Sequence, residues 1–245
     1  MESLPSLLRV KPSVDLYIVI ACFVFLIVTP LIYSSYFYLN ALYVASILML
    51  AGMAWVLMGG YTGLISFGHA VFFGIGAYTL ALTYNSGIIP WLGFILSGCM
   101  AALFAAAIAF PLLRLKGRWF SLATLATAEA MKLYFNNWEF VNGNRGIELS
   151  RMPYGVEWMY FIQPIYYNYI ACIVLIISMI AIYMVTKSRI GYYAQAIRES
   201  EETAMAVGVN TFKYKYLVMV ISGFFTGVAG ALYTVRFRFI DPFAV

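Results

Sequence analysis

Hydrophobic positions in this chain do not alternate with polar ones; they run on. No Asp, Glu, Lys or Arg occurs from residue 16 to residue 113, and the apolar runs there are continuous and of helix length. A helix needs about 20 such residues to cross a bilayer. On that rule spans are predicted at 16–36, 42–58, 65–84, 88–113, 119–135, 166–186 and 216–235, about seven in all. The fourth is long and the fifth short, a mismatch that tilt absorbs. Strands of a membrane barrel would alternate apolar and polar residues, and these runs do not. The expected fold class is all-α, a polytopic transmembrane helical bundle forming one domain over residues 1–245.

The third span breaks the pattern from within. "GYTGLISFGHAVFFGIGAYTLAL" (residues 60–82) holds five glycines and the single histidine of the chain. Glycine weakens a helix interior by about 1 kcal/mol relative to alanine, so the expectation is a glycine-broken span. Two uses of these glycines stay open. Gly63, Gly68, Gly74 and Gly76 can let helix backbones approach closely. They can also let the helix unwind so that free backbone groups line a cavity, which is tolerated at membrane depth only where protein or water covers it. Ser66 and His69 share the stretch. A lone intramembrane histidine reads as an interhelical hydrogen-bond donor. A proton relay would need titratable neighbours, which the spans between 16 and 113 lack.

Composition agrees with the pattern. The 245 residues are 64% hydrophobic and 10% charged, against about 25% charged in soluble domains. The net charge of +5 reflects where basic residues gather rather than a nucleic-acid surface, since no basic patch with interleaved aromatics occurs. Arg9 and Lys11, then Arg114, Lys116 and Arg118, then Lys187, Arg189, Arg198, Lys213 and Lys215 fall on one side of the span set. Arg145, Arg151, Arg236 and Arg238 fall on the other. The positive-inside rule then puts the N-terminus in the cytoplasm. Cys22, Cys99 and Cys172 sit inside apolar runs without pairing or metal spacing. Residues 16–33 are too long for the apolar core of a cleavable signal and lack its small-residue site, so they read as a retained span.

Two loops are long. The outward one, 136–165, contains the turn sequence "VNGNRGI" (141–147), in which Gly143 and Gly146 can take positive φ. Its Trp138, Trp158 and Tyr160 suit the headgroup level. The inward one contains "GYYAQAIRESEETAMAVGVN" (191–210). Tyr193, Ile197, Ser200, Ala204 and Val207 recur at helical spacing, with Arg198, Glu199, Glu201 and Glu202 opposite and Arg198 placed to pair with Glu202. Gly208 and Asn210 supply a stop. The predicted amphipathic helix has small apolar residues and acidic charges. That suits a groove on a protein partner better than a lipid surface, which wants bulky apolar and basic residues.

"ETAMAVG" (202–208) resembles the EAA-xxx-G loop of ABC importer permeases. The wider run 188–233, "GYTGLISFGHAVFFGIGAYT" (60–79) and "LRLKGRWFSLATLA" (113–126) are similar to the permease subunits of branched-chain amino-acid importers, with urea and short-chain amide importers nearly as close. The resemblance implies a permease domain in a bacterial or archaeal inner membrane, working with ATPase subunits, a second permease subunit and an external substrate-binding protein. It implies a cytoplasmic coupling helix at 191–210, with Arg198, Glu199, Glu202, Ala204 and Gly208 as coupling positions. Gly63, Ser66, Gly68, His69, Gly74 and Gly76 would line or shape the substrate path. There, a half-helix N-terminus with roughly half a positive charge could hold the carboxylate of an amino acid. Permeases of this type normally continue with further spans, so the chain is expected to be truncated at its C-terminus. Arg145 also replaces a smaller residue of the family's turn.

Other classes fit less well. No G-x-x-x-x-G-K-[ST] is present, so ATP would have to be hydrolysed on another subunit. The chain is not expected to be an enzyme or to need a cofactor: no HExxH occurs and one histidine leaves little for a hydrolytic or metal site. An ion-coupled transporter would need intramembrane carboxylates. The one candidate, Glu129, lies three residues from Lys132 and can pair with it on one helix face.

Overall fold

A computed structural model describes residues 35–244 apart from Lys116 and Arg151, together with Leu26 and residues 28–30. The span predicted at 16–36 lies almost wholly outside the described residues, as do Arg9, Lys11 and Cys22. The other six predicted spans are all helices: α1 (Tyr36–Thr62), α2 (His69–Asn85), α3 (Pro90–Leu112), α4 (Arg118–Asn137), α5 (Ile165–Thr186) and, after two short helices, α8 (Thr211–Phe237). The short ones are α6 (Arg189–Glu199) and α7 (Glu201–Ala206). The chain is an all-α polytopic bundle. Among the described residues, four helices (α1, α3, α5 and α8) are long and apolar enough to cross a membrane. The α2 helix has 17 residues, about 25 Å of rise, and α4 carries Glu129 and Lys132.

The centre of the bundle is α8. Of its most apolar stretch 78% is buried, against 33–39% for α1, α3 and α5. It packs against α3, α2 and α1, while α5 lies on α1 and α4 touches the rest chiefly through α2. Lipid tails are as apolar as leucine, so hydrophobic burial does not drive helices together inside a bilayer; close packing and polar contacts do. Both are concentrated here. Gly76 and Gly227 meet backbone to backbone, and Gly230 lies against the Phe73 carbonyl. Tyr43 Oη donates to the Leu232 carbonyl at 2.6 Å and Thr234 Oγ1 to the Ala77 carbonyl at 3.2 Å.

The helices run up and down, which separates two ends. Arg114, Arg118, Lys187, Arg189, Arg198, Lys213 and Lys215 gather at one, the basic end, with the starts of α2, α4 and α8. The opposite end carries the long loop between α4 and α5. In it β1 (Ile147–Glu148) pairs antiparallel with β2 (Phe239–Ile240), just past α8. Gly143 and Gly146 take the expected positive φ, and so does Asn142.

Candidate functional site

The interruption before α2 is confined to residues 63–68, and its cause is local. Gly63, at φ +74°, ends α1 in the left-handed region, which only glycine adopts without cost. Helix resumes at His69. Gly74 and Gly76, expected to help break the span, lie buried inside the uninterrupted α2. Gly76 serves close approach instead, since a Cβ there would meet the Gly227 carbonyl. The break is therefore at the head of the span and not within it.

Backbone freed from a helical ladder must find other partners. The Ser66 carbonyl accepts from Trp55 Nε1 on α1 at 2.8 Å. On α4, Ser121 Oγ donates to the Ile65 carbonyl at 2.6 Å, and Thr124 Oγ1 accepts from the Phe67 N–H at 3.1 Å. The Ser66 hydroxyl, on a side chain only 2% exposed, accepts from the Gly68 N–H at 3.2 Å. Gly68 presses on the Thr124 backbone, where a Cβ would come within 3.0 Å of the carbonyl oxygen. Trp55, Ser121 and Thr124 were not legible as site residues. The one available signal was a pair of hydroxyls three apart, Ser121 and Thr124, in the first half of α4.

His69 closes the site toward α8. Its Nε2 lies 2.7 Å from Ser222 Oγ, and that hydroxyl donates to the Ala54 carbonyl at 2.5 Å. The serine's one proton is thus committed, so Nε2 carries the proton of the ring and donates. Nδ1 is buried without a hydrogen-bond partner. The histidine ties α2, α8 and α1 together at one point.

The segment expected to be a single helix over 191–210 is two. Ser188 Oγ caps α6 by accepting from the Ile190 N–H, and Ser200 Oγ caps α7 by accepting from the Thr203 N–H, both at 3.2 Å. The extended backbone at Ser200 turns the two helices apart and breaks the predicted stripe. Gly191, Ala194 and Ile197 are buried on α6 and Ala204 on α7, while Ser200 is an exposed cap and Val207 is 75% exposed. Gly208, at φ +86°, ends α7; Asn210 does not stop that helix but caps α8, with Oδ1 accepting from the Lys213 N–H at 3.0 Å. Glu199, Glu202, Met205 and Gly208 are exposed, as Val207 is.

The expected Arg198–Glu202 pair is not formed. Arg198 Nη1 instead donates to the Gly60 carbonyl in the last turn of α1 at 2.5 Å. An ion pair forms instead between Lys215 Nζ and Glu201 Oε1 at 2.6 Å, which fastens α7 to α8. Lys132 lies over the Phe243 ring at 5.4 Å and Glu129 is exposed, so that predicted pairing is absent too. Arg198 therefore joins the two candidate regions of the sequence, the glycine break and the 191–210 segment.

At the loop end Arg238 organises the cover. It sits at φ +56°, donates from Nη2 to the Ser150 carbonyl at 2.6 Å, and lies over the Tyr160 ring at 4.2 Å. Asn85 adds bonds to the Glu148 carbonyl and the Ser150 N–H. Tyr160 is thus held by a cation at the C-cap of α8.

Four helices long and apolar enough to cross a bilayer, packed around a backbone break pinned by hydroxyls and a buried histidine, make this a multi-pass integral membrane protein. Residues 37–245 match the family described as branched-chain amino acid transport system / permease component, and the chain belongs to that family. It is 28% identical over 220 residues to the high-affinity branched-chain amino acid transport system permease protein LivM of Escherichia coli K12, covering 80% of this chain and 52% of the relative. The LivM protein of Salmonella typhimurium LT2 gives the same figures. The nucleoside ABC transporter permease protein NupC of Lactococcus lactis subsp. cremoris is 23% identical over 190 residues, covering 70% of this chain and 58% of the relative. The chain spans about half the length of the LivM proteins it matches. No solved structure gives a significant match.

Proposed function

We propose that this chain is a transmembrane permease subunit of an ATP-driven importer for branched-chain or related amino acids, seated in a bacterial or archaeal inner membrane. Membership of the permease family and the likeness to two LivM proteins support the reading. The observation that carries it is the α6–α7 element. It is anchored inward by Ala194, Ile197, Ala204 and the Lys215–Glu201 pair, and it leaves Glu199, Glu202, Met205, Val207 and Gly208 facing out. That is the form of a short helical knob for a groove on a partner.

In this reading the basic end faces the cytoplasm and the N-terminus lies there as well. ATPase subunits hydrolyse ATP and press on α6–α7; a second permease subunit completes the path; an external binding protein delivers substrate to the loop end. Gly63, Ser66, Gly68 and His69 shape the path where backbone is held by side chains, while Gly74 and Gly76 set the packing behind it.

The test is Gly208→Asp in the assembled importer. A side chain at φ +86° is strained and a new charge enters the outward face. The variant is expected to insert normally but to hydrolyse ATP without driving leucine uptake. Retained uptake together with retained ATPase subunits would rule out docking at this element. Running uptake of a labelled nucleoside and of urea beside leucine separates the substrate classes, given the likeness to a nucleoside permease.

A further inference from the structure

The α1 helix ends in the Gly63 cap but has no cation of its own. Its last turn has no basic residue, although a helix C-terminus with free carbonyls favours a cation. Arg198 supplies that cation from another helix. Its guanidinium bonds the Gly60 carbonyl, and its side chain and backbone lie so close to Gly63 that a Cβ there would touch Arg198 Cγ at 3.4 Å. Ile197, the neighbour of Arg198, is buried against the bundle. So α6 and the end of α1 meet as a joint packed through Ile197, with one charged hydrogen bond on its exposed side.

Beyond that joint lies the segment 63–68, fixed by Trp55, Ser121 and Thr124 through separate side-chain bonds. Single side-chain bonds can exchange partners with a shift of one side chain. A helical ladder moves only as a unit. A push on α6 therefore arrives at the part of the membrane domain best able to rearrange, and from there reaches His69 and the α1–α2–α8 clasp.

We propose that Arg198 is the residue through which movement of the α6–α7 element enters the 63–68 break, rather than one that faces the ATPase. The proposal rests on the permease reading. It divides the segment by direction: Glu199, Glu202, Met205 and Val207 meet the partner, and Arg198 hands the movement on.

The experiment uses the full importer, with this chain co-expressed with its partner subunits and reconstituted into liposomes. Wild type, Arg198→Ala and Arg198→Lys are compared for retained ATPase subunit, ATP hydrolysis and leucine uptake. Hydrogen exchange of the 63–68 amides is followed with and without ATP. Arg198→Ala is expected to retain the ATPase subunit and hydrolysis while uptake falls about tenfold or more, the effect of losing a hydrogen bond to a charged group. Its 63–68 amides should no longer respond to ATP. Arg198→Lys, which can still donate to the Gly60 carbonyl, should restore part of both. Wild-type uptake in Arg198→Ala would overturn the proposal. So would a parallel fall of subunit retention, hydrolysis and uptake, which marks a merely structural cap. If the wild-type chain itself retains no ATPase subunit, the permease reading fails and this inference falls with it.

Discussion

Gly76 and Gly227 show what a single hydrogen atom in place of a side chain does here. Adding a methyl at Gly76 would drive it into the Gly227 backbone, which cannot swing aside as a side chain can. Gly76→Val is expected to destabilise by the upper part of the roughly 1–3 kcal/mol typical of overpacking, or more. Gly52, exposed on α1 with nothing within 4 Å of its Cβ position, is the internal control. Gly52→Ala should be neutral or stabilise by about 0.5–1 kcal/mol, since alanine is the better helix former. Denaturant unfolding of the detergent-solubilised protein checks both; equal effects would mean that close approach does not hold this bundle together. The glycine-rich stretch stood out in the sequence, but the division of labour within it did not. Gly63 and Gly76 read alike along the chain. Its own left-handed backbone makes Gly63 a helix end, and Gly227 on a distant helix makes Gly76 a packing site.

Short elements depend on their caps. The six-residue α7 is too short to be stable by itself. Ser200 Oγ, the Lys215–Glu201 pair and buried Ala204 hold it. Ser200→Ala should cost about 1 kcal/mol and raise amide exchange across 201–206 with little effect on α6; unchanged exchange would show that the cap contributes nothing. Helical spacing carries straight through Ser200, which is why a single helix was expected. Yet "SEET" also reads as an N-cap followed by an acidic first turn, and periodicity overrode that signal. The loop element is held differently. Arg238→Ala removes a charged hydrogen bond and the stack on Tyr160, and proteolysis within 144–160 is expected to speed up about tenfold or more. An unchanged cleavage rate would mean that Asn85 and the β1–β2 pairing suffice. The turn at Gly143 and Gly146 was legible from composition. The clamp was not, because Arg238 lies some ninety residues further along the chain.

The described residues form a bundle wrapped around α8, and hydropathy alone located its six long helices to within about six residues at each end. What hydropathy could not rank is burial: α1, α3, α5 and α8 look similar as apolar runs, yet α8 is the one enclosed. The glycines at 223, 227 and 230 mark that central position. The bundle keeps its basic residues at one end, with the break and the α6–α7 element. In the proposed function this end of the bundle serves an ATP-driven amino-acid importer. The most direct measurement is uptake of labelled leucine by cells lacking their own importers, with the partner subunits present and this chain either present or absent. The account predicts leucine uptake that requires both this chain and a hydrolysis-competent ATPase subunit. Equal uptake with and without the chain, when all subunits are found in the membrane, would contradict it.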